Sequence, residues 1–141
     1  TVSDTRTVSA GGVSFSSHLL ASLMGGCREM LCMGVTAGGE VVAEIQRLQR
    51  DNMTEAVIFD AVASETTDAC FDWMQEYLAQ ELVREGKHIL SKRISCGYGD
   101  FSLEYQKAFY DLLGLKRFGI TLTEAGMFKP EKTATAVTGI Q

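Results

Sequence analysis

One segment of the sequence has residue types well suited to binding a ligand, because it places a cation close to two glycines: Arg93-Ile94-Ser95-Cys96-Gly97-Tyr98-Gly99-Asp100. Glycine permits backbone conformations and close approaches to a ligand that other residues resist. Tyr98 adds a ring that can stack and a hydroxyl that can form hydrogen bonds. Composition alone favours a simpler interpretation, in which Arg93 is a surface side chain paired with a neighbouring acid and the glycines form a tight turn around a half-buried tyrosine.

Two carboxylates lie on a segment that the sequence predicts to be helical, residues 54–85, as one long helix or two abutting ones. Its apolar residues recur at helical spacing and form one face: Phe71, Met74, Leu78 and Leu82. Asp68 lies at the edge of this face and Asp72 lies one turn further on. The two carboxylates can therefore face the same neighbour, or they can be solvated helix acids.

Other kinds of site find little support in the sequence. No nucleophile stands at motif spacing from a base, and no phosphate loop or dinucleotide fingerprint is present. His18 and His88 lack partners at metal-ligand spacing, so we expect no metal site and no catalytic residue of the chain's own. The cysteines are expected to be reduced and inert, and the alternative is a thiol-dependent redox or metal protein that uses Cys27, Cys32 or Cys96.

Composition narrows the classes of function further. The 141 residues carry a net charge of −5, which argues against a protein that coats nucleic acid, because that role needs a basic face. A small cationic or zwitterionic ligand, or a basic partner surface, suits the charge better. No apolar run reaches the length of a membrane span, and nothing at the N-terminus resembles a signal peptide, so we expect a cytoplasmic protein without a membrane partner.

The order of predicted elements gives the fold class. Residues 1–12 are expected to be a flexible arm, and residues 13–141 a single domain. Within that domain the patterns predict helices at 18–24, 41–52, 54–85 and 103–115, extended segments at 29–35 and 88–94, and a C-terminal hairpin of strands 119–127 and 133–140. The strand at 29–35 is expected to be buried on both faces. These elements predict an α+β domain with helices packed on a mixed, partly antiparallel sheet.

Arg93, three further residues and then Gly97-Tyr98 form a pattern that resembles the ligand-binding loop of the activation domain of cobalamin-dependent methionine synthase. The resemblance extends over roughly residues 16–140, through Thr36-Ala37-Gly38, Asp60-Ala61, Leu122-Thr123-Glu124 and Pro130. Short free-standing bacterial members of that family carry a similar Gly-Tyr-Gly-Asp followed by Leu and Gln, as in Gly97-Tyr98-Gly99-Asp100, Leu103 and Gln106 here.

The resemblance implies an activation-domain-like fold and a function in methionine biosynthesis. Such a domain binds S-adenosylmethionine and presents its methyl group to inactive cob(II)alamin, which a cobalamin-binding domain or corrinoid protein carries. A flavodoxin is the typical electron donor for this reductive methylation. The chain would thus belong to a methyltransferase system without being a self-sufficient enzyme.

The resemblance also assigns roles to residues. Arg93 would bind the ligand carboxylate, and Asp68 would approach its ammonium or sulfonium. Backbone groups of the loop would contact the rest of the ligand, with the ring of Tyr98 offered to the adenine or its hydroxyl to the ribose. Glu124, in a strand predicted to be otherwise apolar, is either an edge-facing acid or a pocket residue. The loop residues to which the resemblance assigns ligand contacts are Ser95, Gly97, Tyr98 and Gly99.

Of three departures from the family pattern, the first two favour an alternative function. The chain is expected to lack the family's N-terminal region, which supplies an acidic ligand contact. Cys96 stands where the family has proline, and no tyrosine-bearing segment follows Phe128. The alternative is a non-catalytic assembly module that keeps the fold but no longer binds the ligand.

Overall fold

The computed structural model describes residues 7–141, and these begin with a β-hairpin. Strand β1, Thr7–Ala10, pairs antiparallel with β2, Val13–Ser16, across a turn in which Gly11 and Gly12 have positive φ angles of 59° and 78°. The prediction of an unstructured arm over residues 1–12 is therefore wrong for Thr7–Ala10, and residues 1–6 lie outside the described part. Val8 and Phe15 face each other across the hairpin and are both buried, which anchors β1 to the core.

Helix α1, His18–Leu23, follows the hairpin directly and confirms the predicted helix. The side chain of Ser17 caps it by accepting a hydrogen bond from the N–H of Leu20, which satisfies one of the free donors of the first turn. Leu20 is fully buried and packs with Phe15 of the hairpin in one hydrophobic cluster. The short helix is thus fixed to the core close to its N-terminus.

Two eight-residue strands form the central ribbon. Strand β3, Glu29–Thr36, pairs antiparallel with β6, Thr133–Ile140, over its full length. Successive side chains of β3 contact different hydrophobic clusters on the two faces of the ribbon, but only Met33 is fully buried. The expectation that this strand is buried on both faces is therefore wrong, because its other residues stay partly or fully exposed. The strand buried in this way is β6, whose last six residues are all buried.

The C-terminal hairpin was predicted with the wrong partners. Residues 119–127 contain only β4, Thr121–Leu122, which pairs with β5, Phe128–Lys129. A turn interrupts the predicted strand, because the N–H of Thr123 bonds to the carbonyl of Met127 and Gly126 adopts a φ of 79°. The long strand β6 is left to pair with β3, so the partly antiparallel sheet of the prediction is three separate antiparallel pairs.

Two helices follow strand β3. Helix α2, Gly38–Asp51, is followed after one residue by α3, Met53–Val83, which is a single helix of 31 residues. Asn52 separates them in an extended conformation and caps α3 through its side chain, which accepts from the N–H of Glu55. Helix α3 lies on the central ribbon, where Phe71 packs with Met33 and Ala136.

The segment after α3 returns to the central ribbon. It is extended as predicted and bridges β6 at Ile89 and Ile94. A loop then leads to a 3-10 turn, Leu103–Tyr105, to helix α4, Gln106–Leu112, and to a second 3-10 turn, Leu115–Phe118. The predicted helix at 103–115 is thus shorter, and it ends where Gly114 adopts a left-handed conformation with φ of 60°. Helices and antiparallel strands together make an α+β fold, as expected from the sequence.

No helix in residues 7–141 combines the length and the apolar character that crossing a bilayer requires.

Candidate functional site

Arg93 lies at the end of the extended segment and points its guanidinium at helix α3. Its Nη2 donates to Oδ1 of Asp68 at 2.9 Å, and its Nη1 donates to Oδ1 of Asp72 and to Oε1 of Gln75, the latter at 3.0 Å. Only 17% of the Arg93 side chain is exposed, whereas the two aspartate side chains are 67% and 62% exposed. The cation is thus shielded on one side while its acidic partners remain open to solvent.

The regular spacing of α3 produces this cluster. Asp68, Asp72 and Gln75 follow each other at intervals of four and three residues and therefore share one face of the helix. Phe71, one position before Asp72, is buried beneath them, and its ring centroid lies 5.4 Å from Cζ of Arg93. The aromatic face adds a cation–π contact to the hydrogen bonds. We call Arg93, Asp68, Asp72 and Gln75 the Arg93 cluster.

The electrostatic balance of the Arg93 cluster is negative. Burial by itself would lower the pKa of Arg93, but the hydrogen bonds and charges of Asp68 and Asp72 outweigh burial and raise the pKa above its ordinary value. Arg93 therefore stays charged, and one cation facing two carboxylates leaves a net charge of −1. Such a cluster favours a ligand that carries both a carboxylate and an excess of positive charge.

Gln75 is the residue of this cluster that sequence reasoning missed. It is buried, and its Nε2 donates to the carbonyl of Leu90 at 2.9 Å while its Oε1 accepts from Arg93. One amide thereby fixes the extended segment to α3 and orients the guanidinium. The only sequence signal for it was its spacing from Asp68 and Asp72, seven and three residues, which places a third polar group on the face that carries the two acids.

Two cavities flank the Arg93 cluster, one beside each aspartate. The first has a volume of about 250 Å³, and its lining includes Asp68, Phe71 and Lys132. The second has a volume of about 310 Å³, and its lining includes Asp72, Gln75 and Ser91. A ligand in either cavity can reach a carboxylate of the cluster directly.

The loop after Arg93 is a tight turn held by its own backbone. The N–H of Gly97 donates to the carbonyl of Phe101 at 2.7 Å, and the N–H of Tyr98 donates to the carbonyl of Ser95 at 3.2 Å. Gly97 and Gly99 have φ angles of 88° and 58°, which only glycine adopts readily. The N–H groups of Gly97 and Tyr98 and the carbonyls of Ser95 and Tyr98 are thus engaged within the turn, while the exposed side chain of Tyr98 is open to a ligand.

The side chain of Tyr98 is the exposed feature of this loop. It is 66% exposed, more than the half-buried ring that a purely structural turn was expected to hold. An exposed ring offers a flat apolar surface on which another π system can stack. The placement is compatible with contact to an aromatic ligand group.

Asp100 fixes the loop to helix α1. Its carboxylate accepts hydrogen bonds from the hydroxyl of Ser17 at 2.7 Å, from the N–H of His18 at 2.7 Å and from the N–H of Leu19 at 3.2 Å. These hydrogen bonds, that of Ser17 foremost, lower the pKa of Asp100. The acid of the Gly-Tyr-Gly-Asp pattern therefore completes a helix cap and positions the glycine loop.

Glu124 lies in a different part of the molecule from the Arg93 cluster. It is exposed in the turn between β4 and β5, so the expectation that it sits inside a strand is wrong. The turn forms because Thr123 and Gly126 close it with a backbone hydrogen bond. Glu124 lines a cavity of about 600 Å³ together with Glu104, Lys107 and Tyr110, and none of this cavity's lining residues is shared with the two cavities at Arg93.

The thiols offer no support for redox or metal chemistry. Burial raises the pKa of Cys27, raises that of Cys32 to about 11 and raises that of Cys96 to about 12. These thiols are therefore protonated at neutral pH and poor nucleophiles. Within residues 7–141, no group of three or more His, Cys, Asp and Glu side chains is arranged to hold a metal ion.

No protein-family model matches this chain, and no curated protein matches it either. The arrangement of its own residues is therefore the basis for a functional proposal.

Proposed function

We propose that this chain binds S-adenosylmethionine at the Arg93 cluster and serves as a reactivation module for a corrinoid protein such as methionine synthase. The observation that carries the proposal is the ion pair of Arg93 with Asp68, 2.9 Å long and open to solvent on the side of the acid. The resemblance of the Arg93 to Gly99 segment to the activation domain of methionine synthase supports the same assignment.

The charges of the ligand and the Arg93 cluster are complementary. S-adenosylmethionine carries a carboxylate, an ammonium and a sulfonium, so its net charge at neutral pH is +1, against −1 for the cluster. Its carboxylate can replace one aspartate on the guanidinium of Arg93, and its ammonium can then pair with the released aspartate. This exchange keeps every charge paired, so the ligand need not leave an uncompensated charge behind.

Groups of the two cavities and of the loop that follows Arg93 suit the remaining parts of the ligand. Each of the two cavities at the cluster is near the lower limit of about 300 Å³ for small-molecule pockets, so the ligand would extend beyond one of them. Tyr98 offers an exposed ring for the adenine, and the loop carbonyls outside the turn's own hydrogen bonds offer acceptors. The exposed carboxylates keep the sulfonium near negative charge.

The partner completes the chemistry in this proposal. The cobalamin that a partner domain or corrinoid protein carries would supply the reduced cobalt that accepts the methyl group, with a flavodoxin as the external electron donor. The residues of this chain bind the methyl donor, orient its sulfonium and leave the methyl group accessible from solvent. The compartment proposed for this system is the cytoplasm, where thiols such as the four free cysteines stay reduced.

Calorimetric titration of the folded chain with S-adenosylmethionine and with S-adenosylhomocysteine tests the proposal. The second compound lacks the methyl group and the positive charge at sulfur. We expect saturable binding of S-adenosylmethionine and weaker binding of S-adenosylhomocysteine, because only the first complements the negative cluster. Absence of saturable binding by a chain with an intact circular dichroism spectrum would contradict the proposal.

One observation favours the alternative of an assembly module. Both Nη atoms of Arg93 are engaged by Asp68, Asp72 and Gln75 in the free chain, so the cluster also ties α3 to the extended segment. The alternative expects no binding of the small molecule together with tight binding of a corrinoid protein. A pull-down with a purified corrinoid protein, with and without S-adenosylmethionine, separates the two functions.

A further inference from the structure

Helix α3 presents an unusual concentration of exposed apolar side chains. Of the twelve large hydrophobic residues that are exposed in residues 7–141, eight lie on this one helix: Met53, Val57, Ile58, Phe59, Val62, Trp73, Tyr77 and Val83. Soluble proteins rarely leave such a concentration uncovered unless another molecule covers it. The outward surface of α3 is therefore a candidate interface.

The same helix has an extreme charge composition. Met53–Val83 contains seven carboxylates and neither lysine nor arginine. Four of the seven have a cationic partner elsewhere in the chain: Asp60 pairs with Lys132, Asp68 and Asp72 pair with Arg93, and Glu81 pairs with Arg84. Within residues 7–141 the other three, Glu55, Glu65 and Glu76, have no cation within 4 Å.

These three unpaired carboxylates share one stripe of the helix with three of the eight exposed apolar residues, Ile58, Val62 and Trp73. The stripe consists of exposed residues that follow each other at intervals of three and four and so share one face of the helix. Along it, two apolar positions separate each acid from the next: Glu55, Ile58, Val62, Glu65, Ala69, Trp73 and Glu76. We call this set the outer stripe.

Two details give the outer stripe the shape of a binding surface. At one end, a groove of about 410 Å³ between α2 and α3 is lined by apolar and charged residues that include Leu48, Ile58 and Val62. At the other end, the rings of Trp73 and Tyr77 stack with centroids 5.7 Å apart while their side chains stay 64% and 54% exposed. Exposed Trp and Tyr are the residue types that contribute most to binding at protein interfaces.

From these observations we infer that the outer stripe of α3 is a docking site for a basic amphipathic helix of another protein. Apolar residues of that helix would contact Ile58, Val62 and Trp73, and its lysines and arginines would pair with Glu55, Glu65 and Glu76. An arginine of the partner could also stack on Trp73. This inference does not depend on whether the Arg93 cluster binds S-adenosylmethionine.

The charge pattern argues against a second copy of this chain as the occupant. A parallel pairing of two outer stripes would place each carboxylate against its own copy. An antiparallel pairing centred between Glu65 and Thr66 would place Glu55 against Glu76. Both of these arrangements bring like charges together, which costs binding free energy. The net charge of −5 opposes self-association in other registers as well. The same negative charge disfavours an anionic membrane surface.

The chain carries its own reporter for the test, because Trp73 is its only tryptophan and lies in the outer stripe. The probe is a synthetic helix of about 18 residues without tryptophan, with leucine on one face and lysine and arginine beside it. The matched peptide has glutamate at every basic position. We expect the basic peptide to shift the Trp73 emission to shorter wavelength in a saturable way, and the acidic peptide to leave it unchanged.

Three variants of the full chain complete the experiment. Glu65→Lys should weaken binding of the basic peptide by about tenfold, because it turns an attraction into a repulsion. The double variant Ile58→Ser/Val62→Ser should weaken it by removing apolar contact. Glu104→Lys, the same charge change at an exposed site outside α3, should leave the affinity unchanged.

Several results would overturn the inference. These are the absence of a shift with the basic peptide, an equal shift with both peptides, or an equal effect of Glu65→Lys and Glu104→Lys. Sedimentation that shows the chain alone to be a dimer, with its Trp73 emission already shifted, would assign the stripe to a second copy and equally overturn it. The comparison of the two peptides uses the unmodified chain, so it is decisive even if a variant fails to fold.

Discussion

The hydroxyl of Ser17 donates a hydrogen bond of 2.7 Å to Oδ1 of Asp100, across 83 positions of the sequence. The same hydroxyl accepts from the N–H of Leu20, so it links the glycine loop to the first turn of α1. The loop that follows Arg93 therefore depends on a helix cap at the other end of the chain.

Replacing Asp100 should loosen this link. Asp100→Ala removes all three acceptor contacts, while Asp100→Asn keeps one carbonyl oxygen and should have a smaller effect on the melting temperature. The folded state lowers the pKa of Asp100, so the ionised carboxylate stabilises the fold. This stabilisation is complete at pH values above the ordinary aspartate pKa and is lost as the pH falls through the lowered pKa. Thermal melts of the native chain, Asp100→Ala and Asp100→Asn between pH 7 and pH 2 measure this loss of stability.

In those melts the gap between the native chain and Asp100→Asn should narrow as the acid is protonated. A gap of constant size over the whole pH range would show that the charge of Asp100 does not stabilise the cap.

Gln75→Leu should destabilise the chain and disturb Arg93. The change removes the amide donor from the carbonyl of Leu90, which keeps the hydroxyl of Thr138, and it removes one acceptor from Arg93. The two lost bonds, one of them to a charged group, should lower the free energy of unfolding by about 1–3 kcal/mol. Urea denaturation measures the loss. Gln80→Leu, at an exposed position of the same helix, is the matched control and should change stability little. Equal effects of the two substitutions would mean that the bridge made by Gln75 is not a stabilising contact.

Gly139 in strand β6 has no room for a side chain. A Cβ there would collide with Sγ of Cys27 and lie 3.1 Å from Cδ1 of Leu90. Gly139→Ala should therefore lower the free energy of unfolding by about 1–3 kcal/mol. Adding Cys27→Ala should restore part of the loss, which a double-mutant cycle measures. Gly39→Ala is the control, because its Cβ would meet no atom within 4 Å and alanine favours the helix.

The four thiols should differ strongly in reactivity. With iodoacetamide at pH 8, Cys70 should react first because its side chain is exposed on α3. Cys32 and Cys96 should react far more slowly, since burial raises their pKa to about 11 and about 12. Mass spectrometry of timed samples gives the order. Rapid modification of Cys96 in the folded chain would contradict the buried, protonated state and revive the thiol hypothesis.

The sequence predicted those elements whose signal lies within the element. Helix α1 has its cap at Ser17 and its stop at Gly25-Gly26, and α3 has a long run of helix-forming residues without proline. Strand pairing was predicted less well, because it depends on contacts that no local pattern contains. The partner of β6 is β3, almost a hundred residues away in the chain, and not the segment just before it.

The candidate site was predictable only in the part that lies on a single element. The spacing of Asp68 and Asp72 placed both acids on one helix face, and the structure brings both to Arg93. Gln75 was missed because a glutamine in a helix carries no distinctive signal until the main chain of Leu90 is placed beside it. Glu124 was assigned to a strand because the turn at residues 123–127 lacks proline and has only one glycine.

The most direct test of the central claim is calorimetric titration of S-adenosylmethionine into the native chain, Arg93→Ala and Arg47→Ala. Arg47 is a matched control because it also pairs with two carboxylates, Glu44 and Asp51, but on the surface of α2. We predict saturable binding that Arg93→Ala abolishes or weakens by at least about tenfold and that Arg47→Ala leaves unchanged. Equal binding by all three folded proteins, or binding by none, would contradict the assignment of the ligand to the Arg93 cluster.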